Sequence, residues 1–97
     1  MKVEFHPSTA GDVNEGAAFY RRARPGLELE FRHEIDAAFD RIATNPLLYP
    51  LVETPIRRCI VHRFPYSILF RIVDADRVRV LIIRHHKRHP QFGSARR

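Results

Sequence analysis

The chain has 97 residues, of which 44% are hydrophobic and 29% are charged, and its formal net charge is +6. This length predicts a single domain over residues 1–97, and the apolar content excludes a disordered basic tail. The excess of 17 Lys and Arg over 11 Asp and Glu favours a nucleic acid, an acidic protein or an anionic surface as the partner.

The cysteine content and the apolar runs indicate a cytoplasmic protein with no membrane contact. Cys59 is the only cysteine, so no internal disulfide supports secretion. The start of the chain lacks the apolar core of a signal peptide, and no window approaches the roughly 18 apolar residues of a membrane span. We therefore expect a cytoplasmic location.

The first 24 residues predict a strand and then a helix. Val3 and Phe5 alternate with polar residues, and Pro7 ends this strand because it lacks a backbone donor. Thr9 is a candidate N-cap, with an acid three residues later in the first turn. One stripe of the helix comprises Val13, Ala17, Tyr20 and Arg24.

A second helix follows the break at Pro25-Gly26, and its amphipathic pattern is the clearest in the chain. It should stop before Asn45-Pro46, because the residue preceding a proline disfavours helical geometry. The two helices are then expected to form an antiparallel hairpin. The apolar stripe of the second helix comprises Leu27, Phe31, Ile35, Ala38 and Ile42.

The second half of the chain predicts three strands, over residues 56–64, 66–73 and 78–84. Three prolines within residues 46–55 disfavour regular structure in this segment, which precedes the three strands. We expect an α+β fold with the order β-α-α-β-β-β, a helical hairpin on a mostly antiparallel four-stranded sheet, and a flexible tail over residues 93–97. The strand residues expected to cover the hairpin are Ile68, Phe70, Ile72, Val78, Val80 and Ile82.

Arginines concentrate near the predicted strands and in the segment that follows the last of them. They are candidates for binding phosphate groups, although arginines on an edge strand can also serve only to prevent aggregation. His85, His86 and His89 offer no Cys or carboxylate partner nearby in sequence, so we expect neither a metal nor another cofactor. The candidate phosphate-binding residues are Arg57, Arg58, Arg63, Arg84 and Arg88.

The order of these elements and several short motifs resemble the RelE/ParE toxins of bacterial type II toxin–antitoxin modules. The motifs are the Phe19-Tyr20 pair, the phrase Arg63-Phe64-Pro65-Tyr66, and the ending His86-x-Arg88-x-Pro90. The resemblance implies a growth-inhibiting toxin neutralised in a hetero-oligomer by a cognate antitoxin, which binds through an acidic or amphipathic segment. The antitoxin-binding residues expected on this basis are Phe19, Tyr20 and Phe31.

The family uses one fold for two activities, so the fold alone does not define the target. RelE-like members cut messenger RNA on the ribosome, and ParE-like members poison DNA gyrase. An arginine position of the RelE-like enzymes corresponds to Ser67 here, and their C-terminal tyrosine corresponds to Phe92. The resemblance is therefore closer to the ParE-like branch.

Two alternatives to gyrase poisoning stay open. The first is a metal-free, ribosome-dependent endoribonuclease, in which His86, Arg88 and Arg63 are the candidate catalytic residues. The second is an inactive basic module that holds nucleic acid through its phosphates.

Overall fold

Two α-helices pack on one face of a five-stranded sheet in the computed structural model, which describes residues 1–97. The strand order is β1-β5-β4-β3-β2; β1 runs parallel to β5, and the other neighbours are antiparallel. The predicted α+β class and helical hairpin are confirmed. The elements are β1 (Lys2–Phe5), α1 (Thr9–Ala23), α2 (Leu27–Thr44), a short 3₁₀ helix (Pro46–Leu48), β2 (Leu51–Glu53), β3 (Ile56–Ile60), β4 (Tyr66–Asp74) and β5 (Arg77–His85).

The expected four-stranded sheet has a fifth strand, because β2 forms within the segment expected to be irregular. Leu51 pairs with Arg57 of β3, and Glu53 pairs with Ile56. Pro50 precedes this strand and Pro55 follows it. The prolines therefore flank the edge strand without removing a donor from its interior.

The second helix has the predicted stripe and the predicted end. Its residues Phe31, Ile35, Ala38 and Ile42 are all buried, and the helix ends at Thr44 with Asn45 as its C-cap. Gly26 precedes it at a φ of 99°, a left-handed conformation that glycine adopts without steric cost. No helix of the structure is long and apolar enough to cross a membrane.

The helix-facing side of the sheet differs from the prediction at one residue. Ile68, Phe70, Val78 and Val80 contribute to the main core, but Ile82 lies on the opposite face with Leu69 and Leu81. The register explains this difference: Leu69 pairs with Ile82 and Phe70 pairs with Val80, so β5 has one extra residue at a bulge. Ile83 takes the inward position instead.

The last residues, expected as a flexible tail, lie against the sheet in the structure. The side chain of Arg96 forms an ion pair with Asp12 of α1 and also donates to the carbonyl of Leu81. A Cβ added at Gly93 would lie 2.8 Å from the side chain of Ile82. The Asp12 carboxylate also accepts the backbone N–H of Ile83, at 3.1 Å. It therefore joins α1, β5 and the C-terminal segment.

Candidate functional site

A cleft of about 240 Å³ opens on the face of the sheet that the helices leave uncovered. Ser67 at the start of β4 pairs with Arg84 of β5 on one side and with Ile60 of β3 on the other, so three neighbouring strands form its floor. We call this cleft the cationic pocket. Its lining residues are Arg58, Ile60, Ser67, Arg84, His86, Arg88 and Pro90.

Hydrogen bonds fix the polar side chains of the cationic pocket. The Oγ of buried Ser67 lies 2.9 Å from Nε2 of His86, and the backbone N–H of His86 donates to the carbonyl of Pro65 at 2.8 Å. Arg84 donates through Nη1 to the carbonyl of Pro90, also at 2.8 Å. The turn after β5 therefore folds back and positions both the imidazole and one guanidinium.

The charge of the cationic pocket is positive and has no acidic residue in its lining to balance it. Burial lowers the pKa of Arg84, and the nearby charge of Arg58 lowers that pKa further. Both effects disfavour the charged guanidinium, and a bound anion would relieve them. The arrangement is suited to holding an oxyanion.

Arg88 lies at the edge of the cationic pocket and is held from the helix side. Its Nη2 is 3.3 Å from a carboxylate oxygen of Glu15 in α1, and its guanidinium carbon lies 4.1 Å from the centre of the Phe92 ring. The aromatic ring at this position therefore supports an arginine by cation–π contact. As a phenylalanine it has no hydroxyl to donate.

Two of the five candidate phosphate-binding arginines lie outside the cationic pocket. Arg57 donates through Nη1 to the carbonyl of Tyr49 at 2.7 Å. Arg63 pairs with two carboxylates of α2, at 2.8 Å from Glu30 and 3.8 Å from Glu34. The hydrogen bond that Arg63 donates to Glu30 raises the pKa of Arg63. The structure thus brings together Arg58, Arg84 and Arg88, but it does not place Arg57 or Arg63 with them.

Arg63 was also a candidate catalytic residue, with His86 and Arg88. The last two line the same cationic pocket, whereas Arg63 is engaged by α2. The ion pairs with Glu30 and Glu34 hold the Arg63 guanidinium apart from the other two candidates in this structure. Sequence reasoning had no signal for them, since Glu30 lies 33 residues before Arg63.

A second cleft, of about 330 Å³, separates α1 from the end of β5 and the turn that follows it, and we call it the helix cleft. Phe19 stands at its rim with 54% of its surface exposed. Burial raises the pKa of Tyr66 in its wall to about 12, so the phenol stays protonated at neutral pH. The lining residues are Asp12, Glu15, Gly16, Phe19, Arg22, Tyr66, Ile83, His85, Lys87, Arg88 and Phe92.

The three residues expected to bind an antitoxin differ in accessibility. Phe19 is exposed, Tyr20 is 9% exposed, and Phe31 is fully buried. The Phe31 ring packs against Tyr66 and Tyr20, with centroids 4.9 and 5.1 Å away. Phe31 is therefore a core residue in this structure and offers no exposed surface to a partner. The strong 3.6-residue period of α2 already indicated an inward position for it.

Cys59, His85 and His89 form no recognisable catalytic or metal-binding group. Burial raises the pKa of the Cys59 thiol, which disfavours the nucleophilic thiolate. His85 and His89 each accept a backbone N–H through Nδ1, from Lys87 and Gln91. No group of three or more His, Cys, Asp or Glu residues is arranged to hold a metal ion.

Comparison with known proteins identifies the family of this chain. A family model described as the ParE toxin of the type II toxin–antitoxin system parDE matches residues 3–90. A solved structure of the chromosomal ParDE TA system from P. aeruginosa is similar in fold, with a TM-score of 0.76 at 18% sequence identity over 88% of this chain and 95% of that chain. A search of curated proteins found no match. Because the family model spans almost the whole sequence, the chain belongs to the ParE toxin family of type II toxin–antitoxin systems.

Proposed function

We propose that the protein is a growth-inhibiting toxin that acts in the cytoplasm on DNA gyrase. The observation that carries this proposal is the make-up of the cationic pocket within a ParE-family chain. Metal-free RNA cleavage needs a proton acceptor, cations for the developing phosphorane charge and a donor to the leaving oxygen. By the resemblance to RelE-like enzymes, Ser67 in the cationic pocket and Phe92 beside Arg88 correspond to an arginine and a tyrosine of those enzymes, so two of these groups are replaced.

A supercoiling assay with purified gyrase tests the proposed target. Increasing amounts of the toxin should reduce supercoiling of relaxed plasmid and increase the amount of plasmid cut by gyrase. A type I topoisomerase acting on the same plasmid is the control, and its activity should not change. Full supercoiling activity at a large molar excess of folded toxin would contradict the proposal.

We propose that a cognate antitoxin neutralises this toxin by binding at the helix cleft. The similar structure from P. aeruginosa is described as a toxin–antitoxin system, which supports the existence of such a partner here. Exposed Phe19 offers an apolar anchor at the rim. Arg22, Lys87 and Arg88 outnumber Asp12 and Glu15 in the lining, which favours a segment that is acidic as well as amphipathic.

The anchoring role of Phe19 can be tested with two alanine variants. Phe19→Ala should weaken antitoxin binding by about 2 kcal/mol or more, because large aromatic anchors dominate interface energies. Leu48→Ala is the matched control, since Leu48 is 73% exposed and lies outside both clefts. Isothermal titration calorimetry gives both affinities, with the small protein encoded by the neighbouring reading frame as the antitoxin to be tested. Equal affinities for the two variants would place the antitoxin elsewhere.

A ribosome-dependent endoribonuclease is the second candidate, and the hydrogen bond between His86 and Ser67 inside the cationic pocket favours it. In that case His86→Ala and Arg88→Ala should abolish toxicity, and new messenger RNA ends should appear in a translating extract. Unchanged messenger RNA ends with active toxin would eliminate this candidate.

A further inference from the structure

Arg58 and Arg84 differ from Arg88, the third arginine that lines the cationic pocket. Arg88 pairs with the carboxylate of Glu15, whereas Arg58 and Arg84 form no ion pair. The charge of Arg58 also acts on the partly desolvated guanidinium of Arg84. Holding two neighbouring cations together without a counter-charge costs free energy. An anion bound between them would supply the missing counter-charge.

The groups around these two arginines are arranged for hydrogen bonding. The Pro90 carbonyl holds one end of the Arg84 guanidinium, and its other N–H groups are not engaged by protein acceptors. Ser67 is only 5% exposed, and its hydroxyl reaches His86 at the base of the pocket. Guanidinium groups match the geometry of phosphate oxygens and bind them with two donors at once.

The size of the cationic pocket limits what it can hold. Its volume of about 240 Å³ is below the roughly 300–1,000 Å³ of pockets that enclose drug-sized ligands. It also opens beside the C-terminal segment on the sheet face that carries no helix, where an extended polyanion can reach it. These features fit one backbone phosphate of a longer nucleic acid.

We propose that the cationic pocket binds a single phosphodiester group of duplex DNA, held by Arg58 and Arg84 with Ser67 and His86 at its base. The choice of DNA as the source of this phosphate rests on the proposed gyrase target, because gyrase acts on DNA. Arg57 and Arg63 take no part, because other protein groups already engage them.

Direct binding to DNA, measured without gyrase, tests this proposal. The full-length toxin is titrated against a fluorescein-labelled duplex over a range of KCl concentrations, and anisotropy gives the binding constant. Each phosphate contact adds about 0.9 to the slope of log K against log salt. Because both arginines hold the same phosphate, Arg58→Gln, Arg84→Gln and the double variant should each reduce that slope, and none of them by more than about 0.9.

Arg21→Gln is the matched control, since Arg21 is an exposed arginine of α1 that lines neither cleft. It removes the same charge and should leave the slope unchanged. Arg58 is exposed and its side chain forms no hydrogen bond with other protein groups, so Arg58→Gln should fold even if Arg84→Gln does not.

Three results would overturn the proposal. They are the absence of DNA binding by the wild-type toxin, an equal loss of slope in Arg21→Gln and Arg58→Gln, and tighter binding to an RNA duplex of the same sequence. The supercoiling assay is run on the same samples. Gyrase inhibition by a toxin that shows one of these results would refute the phosphate site and leave the proposed target standing.

Discussion

At Gly16, the first helix approaches α2 and the sheet so closely that a methyl group has no space. A Cβ there would lie 2.8 Å from Cζ of buried Phe31 and 2.9 Å from the Tyr66 hydroxyl. Gly16→Ala should therefore reduce the free energy of unfolding by ~1–3 kcal/mol through overpacking. Urea denaturation measures this change.

Gly11 provides the control within the same helix, because a Cβ at this position meets no atom within 4 Å. Gly11→Ala should stabilise the protein by up to about 1 kcal/mol, since alanine is the better helix former. A Gly16→Ala variant as stable as Gly11→Ala would contradict the close packing described here.

His85 should make stability depend on pH. Burial, followed by the charges of His86 and Lys87, lowers the pKa of His85 in the folded state. Its Nδ1 also accepts the N–H of Lys87, which requires an unprotonated nitrogen. The folded state therefore disfavours the protonated form of His85. The stability that neutral His85 contributes is fully present above its unfolded pKa of about 6.5 and is lost as the pH falls below that value.

The variant His85→Asn tests this linkage, because an asparagine oxygen can accept the same N–H but does not titrate. Between pH 8 and pH 5, the free energy of unfolding should fall less steeply in the variant than in the wild type. Parallel curves for the two proteins would show that His85 does not contribute.

Among the secondary-structure elements, α2 was predictable and β2 was not. The α2 stripe repeats over five apolar positions, from Leu27 to Ile42. The side chains at these positions pack in or against the main core, as the stripe predicts. By contrast, β2 has only three residues and depends on pairing with β3. The bulge that turns Ile82 outward likewise depends on the match between two strands, and neither strand alone encodes it.

The C-terminal segment depends on one ion pair between distant parts of the chain. The side chains of Asp12 and Arg96 are 5% and 14% exposed, so removing one partner leaves the other poorly solvated. Arg96→Gln should cost ~3 kcal/mol of stability, as expected for breaking a buried pair. It should also increase hydrogen exchange over residues 86–97.

Arg97→Gln is the control for this segment, because the Arg97 side chain bonds only to nearby backbone carbonyls. Its stability should lie within about 0.5 kcal/mol of the wild type. Equal exchange of the segment in both variants would mean that Arg96 does not hold it. Asp12 and Arg96 lie 84 positions apart in the chain, which explains why sequence reasoning did not detect this pair.

Over the whole molecule, the two faces of the sheet have different roles. One face packs against the helices and forms the main core, and the other carries the cationic pocket. Sequence reasoning found Arg58, Arg84 and Arg88 because arginines concentrate near the predicted strands and in the segment that follows the last of them. It could not separate Arg57 and Arg63 from them, because the groups that engage these two arginines lie on other elements.

The cellular target is the central claim, and precursor incorporation tests it most directly. The toxin is induced without its antitoxin, and labelled thymidine and labelled amino acids are followed in the same culture. A poisoned gyrase blocks replication, so thymidine incorporation should fall first while amino-acid incorporation continues. An earlier fall in amino-acid incorporation would contradict the gyrase proposal and favour cleavage of messenger RNA.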